Sequence, residues 1–221
     1  MKIKNNVKCL SLVLFLFLGF YPNCQAQNRP FENEIKHIIE KYPENAFEKG
    51  GIVFTGSSSI RLWENLVEDI PNNKIINTGF GGSQTHELLL YIEETILRYS
   101  PSKVFIYVGE NDIQEGKAVK QILQEYKELY KKIISHNPKT ELFFISAKPS
   151  PSRWEKQKQF EQLNEKTLAL SQQLGNMTFI NVWDEMLDDN GSPKASLFVQ
   201  DKLHMNEKGY AIWANKITPH L

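Results

Sequence analysis

Residues 52–59 read IVFTGSSS, an apolar run that ends in one glycine and three serines. Four further apolar runs follow along the chain, and residues 74–77, 104–108, 142–145 and 178–182 read KIIN, VFIYV, LFFI and TFINV. Short runs of this kind are typical of strands that are buried on both faces of a parallel sheet. The sequence therefore predicts five buried strands.

Longer amphipathic stretches separate these runs. Apolar residues recur at helical spacing over residues 31–42, 119–133, 160–174 and 207–217. Short apolar strands that alternate with helices predict an α/β protein in which helices cover both faces of a parallel sheet. In such sheets ligands bind beyond the carboxyl ends of the strands, so the polar residues that follow each strand are the candidates for chemistry.

Composition and charge are those of a soluble globular domain. The chain has 221 residues, of which 41% are hydrophobic and 24% are charged, and this length suits one domain with a sizeable core. Basic residues form no stripe along the sequence, so we expect no nucleic-acid partner.

The first 26 residues differ from the rest and predict a secretory signal peptide. Three lysines within residues 1–8 precede an apolar run over 9–21, and CQA at 24–26 offers a small-x-small cleavage site. We therefore expect a signal peptide at 1–26, a mature domain at 27–221, export to the periplasm or medium, and no stable membrane insertion after cleavage. An uncleaved anchor is the first alternative. Lipid anchoring at Cys24 is the second, and Pro22 and Asn23 disfavour it.

Cleavage would change both the charge and the cysteine content of the protein. Residues 1–26 hold three basic and no acidic residues, so the net charge falls from zero to −3. Both cysteines, Cys9 and Cys24, lie in this segment. The mature chain is therefore expected to have no disulfide and no thiol nucleophile.

Four polar clusters carry the candidate chemistry. Three of them follow predicted strands, at residues 56–60, 77–83 and 109–112, and the fourth lies at 201–204, just before the last predicted helix. Because the carboxyl ends of parallel strands share one edge of the sheet, we expect these clusters to meet there.

The residue types in these clusters are those that ester hydrolysis requires. A serine hydroxyl such as that of Ser58 becomes a nucleophile when a histidine accepts its proton, and His204 could do this with Asp201 behind it. Gly82 could present a backbone N–H, and Asn111 a side-chain amide, to a developing oxyanion. We therefore predict Ser58, Asp201 and His204 as catalytic residues, with an oxyanion hole at Gly82 and Asn111.

The same clusters resemble the conserved blocks of the SGNH, or GDSL-type, hydrolases. FTGSS at 54–58 is similar to the first block and places Ser58 at the nucleophile position, while Asn77 with Gly82 is similar to the second. GEND at 109–112 and DKLH at 201–204 match the third and fifth. The resemblance runs from about residue 50 to 220 and is greatest to platelet-activating-factor acetylhydrolase-like members. It implies a flavodoxin-like, three-layer α/β/α sandwich with a five-stranded parallel sheet, and esterase, lipase, thioesterase or carbohydrate deacetylase activity without a metal.

One departure from the family pattern affects the nucleophile turn. Ser57 stands where the family usually has an aspartate. Because Ser57 and Ser59 flank Ser58, the nucleophile is identified by position, and Ser58 lies two residues after Gly56 as the family pattern requires. The rival α/β-hydrolase pattern Gly-x-Ser-x-Gly is broken at Ile60 and is disfavoured.

These observations predict a serine esterase that acts through an acyl-enzyme on short acyl groups, such as acetyl on a glycan. The alternatives are a lysophospholipase or thioesterase acting on longer chains, and a non-catalytic glycan-binding module on the hydrolase scaffold. The expected partner is a small-molecule or glycan ester, with no cofactor and no metal. Arg153 and Trp154 follow the fourth strand at the same edge of the sheet. Their side chains are expected either to contact substrate or simply to pack within the loop. The sequence does not determine the oligomeric state.

Overall fold

The computed structural model describes residues 29–44, 47, 49–70 and 74–221. The predicted signal peptide, at 1–26, lies outside the described residues. No helix among the residues that the structure describes is long and apolar enough to cross a membrane.

All five predicted strands are present, and they form one parallel sheet. Each strand was predicted to within two residues of its observed ends. The strands are β1 Ile52–Gly56, β2 Ile75–Asn77, β3 Lys103–Tyr107, β4 Glu141–Ile145 and β5 Met177–Ile180. Their order across the sheet is β2-β1-β3-β4-β5, and every neighbouring pair is parallel. This is the flavodoxin-like order, in which the chain reverses its direction of travel across the sheet between β1 and β3.

The described helices are of two kinds, four long ones that the sequence predicted and several short ones that it did not. The long helices are α1 Glu32–Lys41, α7 Val119–His136, α8 Gln157–Ser171 and α9 Glu207–Ile217. The short helices are α2 Ser58–Arg61, α3 Leu66–Asp69, α4 Thr85–Leu90, α5 Ile92–Thr95 and α6 Glu110–Gln114. Short 3₁₀ segments at Pro151–Lys156 and Ala195–Leu197 lie in the loops near the carboxyl edge of the sheet.

Alternate residues of each strand face opposite sides of the sheet, and each side has its own apolar core. Val53, Val104 and Phe144 pack with helices α1, α4, α5, α7 and α8 on one side. Phe54 and Phe105 pack with α2, α3 and α9 on the other. These two cores confirm the three-layer α/β/α sandwich that the sequence resemblance implied.

Aromatic side chains pack helix α9 against the segment that contains α2. The indole of Trp63, just after α2, lies 5.1 Å from the ring of Tyr210 and 6.0 Å from that of Trp213, both on α9. The Tyr210 hydroxyl also donates a hydrogen bond to the carbonyl of Ser59 at 3.0 Å. Helix α9 therefore holds the segment that follows β1 in place.

Candidate active site

Ser58 lies at the start of α2, where the chain turns sharply out of β1. The turn depends on Gly56, which has a φ of +125°, and a Cβ atom there would lie 1.9 Å from the carbonyl oxygen of Tyr107 on β3. Ser57 then donates its backbone N–H to the same carbonyl at 2.9 Å. The side chains of Ser57 and Ser59 are buried, whereas Ser58 is partly exposed. Only the middle serine therefore faces the cleft.

The structure brings Ser58, His204 and Asp201 together in one hydrogen-bonded chain. His204 Nε2 lies 3.0 Å from Ser58 Oγ, and His204 Nδ1 lies 2.6 Å from Asp201 Oδ2. Because Nδ1 faces a carboxylate, it carries the proton of a neutral imidazole, and Nε2 is left to accept the Ser58 hydroxyl proton. This arrangement prepares the hydroxyl for nucleophilic attack.

The loop that carries Asp201 and His204 is shaped by the Asp201 carboxylate. Asp201 Oδ1 accepts the backbone N–H groups of Leu203 and His204 at 2.8 and 2.9 Å, and Lys202 between them has a φ of +56°. Partial burial acts to raise the pKa of Asp201, but hydrogen bonds from the imidazole and from the two backbone N–H groups outweigh it and lower that pKa to about 2. The carboxylate is therefore ionised in the neutral range.

Gly82 and Asn111, the two predicted oxyanion residues, lie next to each other. Asn111 Nδ2 lies 3.8 Å from the position that a Cβ on Gly82 would take. Nδ2 donates to the carbonyl of Ser83 at 3.0 Å, and Oδ1 accepts a hydrogen bond from Arg153 Nη1 at 3.0 Å. Since the guanidinium is a donor only, it fixes which end of the amide points toward Gly82.

The Gly82 loop is tied to β1 and to α6. The N–H of Phe80 donates to the carbonyl of Gly56 at 3.0 Å. Thr85, at the start of α4, donates its N–H and its hydroxyl to the buried carboxylate of Asp112 at 2.9 and 3.1 Å. Asp112 therefore joins the asparagine-bearing helix to the glycine loop.

A buried charge network lies beneath Asn111, and sequence reasoning missed it. Glu110 forms ion pairs with Lys148 at 2.7 Å and with Arg153 at 3.1 Å, and it accepts a hydrogen bond from the Tyr107 hydroxyl. Burial alone would raise the pKa of Glu110, but the two cationic neighbours lower it. Arg153 is thus held between an ionised carboxylate and the Asn111 amide.

The segment around Arg153 connects the two halves of the site. Ser152, next to Arg153 in the Pro151–Lys156 segment, donates its N–H to the carbonyl of Lys202 at 3.2 Å. The ring of Trp154 stacks on that of Trp183 at 5.9 Å. Both side chains that the sequence offered as substrate contacts are therefore engaged by the protein itself.

Among the residues that the structure describes, one group has the spacing of a metal site. It consists of His86, Asp112 and Glu125. The ammonium of Lys117 lies among them, 2.5 Å from Asp112, 2.9 Å from Glu125 and 3.3 Å from His86 Nδ1. Burial acts to lower the pKa of Lys117, but hydrogen bonds to the two carboxylates outweigh it and raise that pKa, so a protonated amine occupies the position that a cation would take.

A parallel sheet with a Ser–His–Asp set at its carboxyl edge, beside glycine and asparagine donors, has the architecture of a serine hydrolase. Comparison with protein families agrees with this class. Residues 50–212 match the GDSL-like Lipase/Acylhydrolase family. The chain belongs to that family and is a serine ester hydrolase.

Solved structures share the fold. A Streptococcus pneumonia protein, provisionally described as a platelet activating factor, is 24% identical with a TM-score of 0.74, covering 85% of this chain and 92% of its own. A GDSL-like lipase from Bacteroides thetaiotaomicron is 20% identical with a TM-score of 0.71, covering 84% of this chain and 96% of its own. An acetyl-xylooligosaccharide esterase from Geobacillus Stearmophilus is 14% identical with a TM-score of 0.59, covering 78% and 94%. Comparison with curated proteins found no match.

Proposed function

We propose that the protein hydrolyses a carboxylic ester through an acyl-enzyme on Ser58. The observation that carries this proposal is the pair of contacts on His204, 3.0 Å to Ser58 Oγ and 2.6 Å to Asp201 Oδ2. His204 takes the proton of Ser58 as the oxygen attacks the ester carbonyl, and Asp201 stabilises the imidazolium that forms. His204 then gives this proton to the departing alcohol. Water hydrolyses the acyl-enzyme with His204 again as base.

The charge on the tetrahedral intermediate requires donors that are already in place. We assign this role to the backbone N–H groups of Ser58 and Gly82 and to Asn111 Nδ2. One Nδ2 hydrogen is used by the Ser83 carbonyl, and the other is free for an oxyanion. Each such donor contributes roughly 10²- to 10³-fold to kcat.

We propose that the alcohol part of the substrate lies on the His204 side of Ser58. The imidazole must protonate the leaving oxygen, so the departing alcohol must contact it. A groove of about 700 Å³ adjoins His204 there and includes Leu62, one helical turn after Ser58, and the half-exposed Val199. Asn65 and Lys208 also line it and could bind hydroxyl groups. Apolar surface beside polar groups suits a sugar, which has both hydroxyl groups and a C–H face.

This groove has room for a large alcohol. We propose that the acyl group is small, such as acetyl on a glycan. The acetyl-xylooligosaccharide esterase of the same fold agrees with this choice. We further propose that the protein acts after export, as its N-terminal sequence predicts, and needs no cofactor.

The acyl preference is tested with p-nitrophenyl esters of increasing chain length. We expect kcat/KM for acetate to exceed that for octanoate by at least about tenfold, because the small acyl subsite that we propose has no room for eight carbons. A buried subsite for the longer chain would instead favour octanoate by roughly 0.8 kcal/mol per CH₂. A preference for octanoate would support a lysophospholipase or thioesterase. Failure of a fluorophosphonate probe to label Ser58 would support a non-catalytic glycan-binding module.

The assignment of the groove is tested by filling it. We expect Val199→Trp to lower kcat/KM for an acetylated xylooligosaccharide by about tenfold, because the indole occupies space that the sugar needs, while methyl acetate, whose alcohol is small, is hydrolysed as before. The ratio of the two kcat/KM values is the measurement.

Val67→Trp is the matched control for this experiment. Val67 is 49% exposed against 45% for Val199, but it lies on α3 and lines a different groove. An unchanged ratio in Val199→Trp, or an equal change in Val67→Trp, would place the alcohol elsewhere.

A further inference from the structure

Helix α1 precedes the matched family region, which begins at residue 50, yet it lies directly against the glycine loop of the site. Gly81, the neighbour of the proposed oxyanion donor Gly82, donates its backbone N–H to Glu34 Oε2 on α1 at 2.7 Å. A backbone N–H that bonds a carboxylate makes a stronger hydrogen bond than one that bonds a neutral carbonyl. Glu34 therefore holds the Phe80–Gly81 peptide group, which lies one peptide before the one that carries the Gly82 N–H.

The shape of the loop also depends on α1. Gly81 has a φ of +42°, and a Cβ atom there would lie 2.1 Å from a ring carbon of Phe31. The Phe31 ring meets Phe80 edge to face at 5.5 Å, so the residue before Gly81 packs on the residue that directly precedes α1. The loop and the helix thus fit each other on both sides of the Glu34 hydrogen bond.

The segment at the start of α1 is anchored firmly to the helices that follow the loop. The Arg29 guanidinium lies 4.2 Å above the ring of Tyr91 and donates to the carbonyl of Leu90 at 2.7 Å. The Tyr91 hydroxyl donates in turn to the carbonyl of Pro30 at 2.6 Å. These contacts fix the first turn of α1, from which Glu34 reaches Gly81.

Glu34 also lies near the helix that carries Ser58. Arg61, at the end of α2, places its Nε 3.8 Å from Glu34 Oε2. Glu34 is thus placed between the nucleophile helix and the glycine loop, and Arg61 partly offsets its negative charge close to the site of the oxyanion.

We propose that Glu34 is a positioning residue for ester hydrolysis, which it supports by holding Gly81 so that the N–H of Gly82 faces the oxyanion. This inference rests on the proposed function. Glu34 itself does not touch substrate. Helix α1, which the family comparison does not cover, is then part of the catalytic apparatus of this chain.

The test compares Glu34→Ala with Glu34→Gln, using p-nitrophenyl acetate. Alanine removes the acceptor, so we expect kcat to fall about tenfold or more while KM changes less than about twofold, because the donor acts mainly in the transition state. Glutamine keeps an acceptor oxygen for Gly81, and we expect it to retain most of kcat.

Two controls keep this test decisive. Glu40→Ala changes an exposed glutamate at the far end of α1 and is expected to leave kcat unchanged. Rates are divided by the fraction of Ser58 that a fluorophosphonate probe titrates to completion, so that misfolded protein does not lower the apparent kcat.

Three results would overturn the proposal: full kcat in Glu34→Ala, an effect confined to KM, or a loss in Glu34→Gln equal to that in Glu34→Ala. Failure of the proposed function is recognised separately, because Ser58→Ala would then remain active. An inactive Ser58→Ala beside a fully active Glu34→Ala rejects the role of Glu34 alone.

Discussion

Ser58→Ala is expected to lower kcat for p-nitrophenyl acetate by about 10⁵- to 10⁶-fold, the range seen when a serine hydrolase loses its nucleophile. The change deletes one oxygen, which lies 3.0 Å from His204 Nε2. Substrate binding and the oxyanion donors remain, so KM should change little and a weak residual rate should persist. Steady-state kinetics and loss of fluorophosphonate labelling measure the effect.

The neighbouring serines provide matched controls for this substitution. Ser57→Ala and Ser59→Ala each remove one hydroxyl from the same turn, but both side chains are buried. The hydrogen bond that Ser57 makes to Tyr107 uses its backbone N–H and survives the change. We expect both variants to retain much of their activity. If Ser57→Ala alone were as inactive as Ser58→Ala, the nucleophile would have to be reassigned.

Asp201→Asn is expected to lower kcat by roughly 10⁴-fold. An asparagine oxygen can still accept the backbone N–H groups of Leu203 and His204, so the loop should keep its shape. The amide NH₂ group can instead face His204 Nδ1, which favours the tautomer with its proton on Nε2. That tautomer cannot accept the Ser58 proton. The measurement is kcat for p-nitrophenyl acetate in the neutral range.

The low pKa of Asp201, about 2, also predicts how the rate of the wild-type enzyme depends on pH. A carboxyl with a lowered pKa stays ionised until the pH falls toward that value, so the wild-type rate should show no step from Asp201 above about pH 4. Asp189→Asn removes the same charge from an exposed position and should leave kcat unchanged. A loss of less than tenfold in Asp201→Asn would show that His204 does not depend on the carboxylate.

The sheet could be predicted because its strands are mainly apolar and the long helices have a clear period. Val104, Phe105 and Ile106 are fully buried, and a short apolar run of this kind is typical of a central strand in a parallel sheet. No bounds could be predicted for helices α2 to α6, since four to six residues do not establish a helical period.

The predicted site residues lie where the strand-end rule placed them, but their supports could not be foreseen. Glu34 and Gly81 are 47 residues apart, and no local pattern links them. Lys148 is fully buried, whereas a lysine in a loop is expected to be exposed. Its burial beside Glu110 depends on how β3 and β4 align, which only the folded sheet determines.

The distance along the chain between Ser58 and His204, 146 residues, affects when the enzyme becomes active during synthesis. A nascent chain can form all five strands by residue 180, but it has no base for its nucleophile until the last loop and α9 leave the ribosome. The unfinished protein therefore cannot attack the esters of the compartment in which it is made. Proteolytic trimming from the carboxyl end would remove the base in the same way, and it would also expose the face of the sheet that α9 covers.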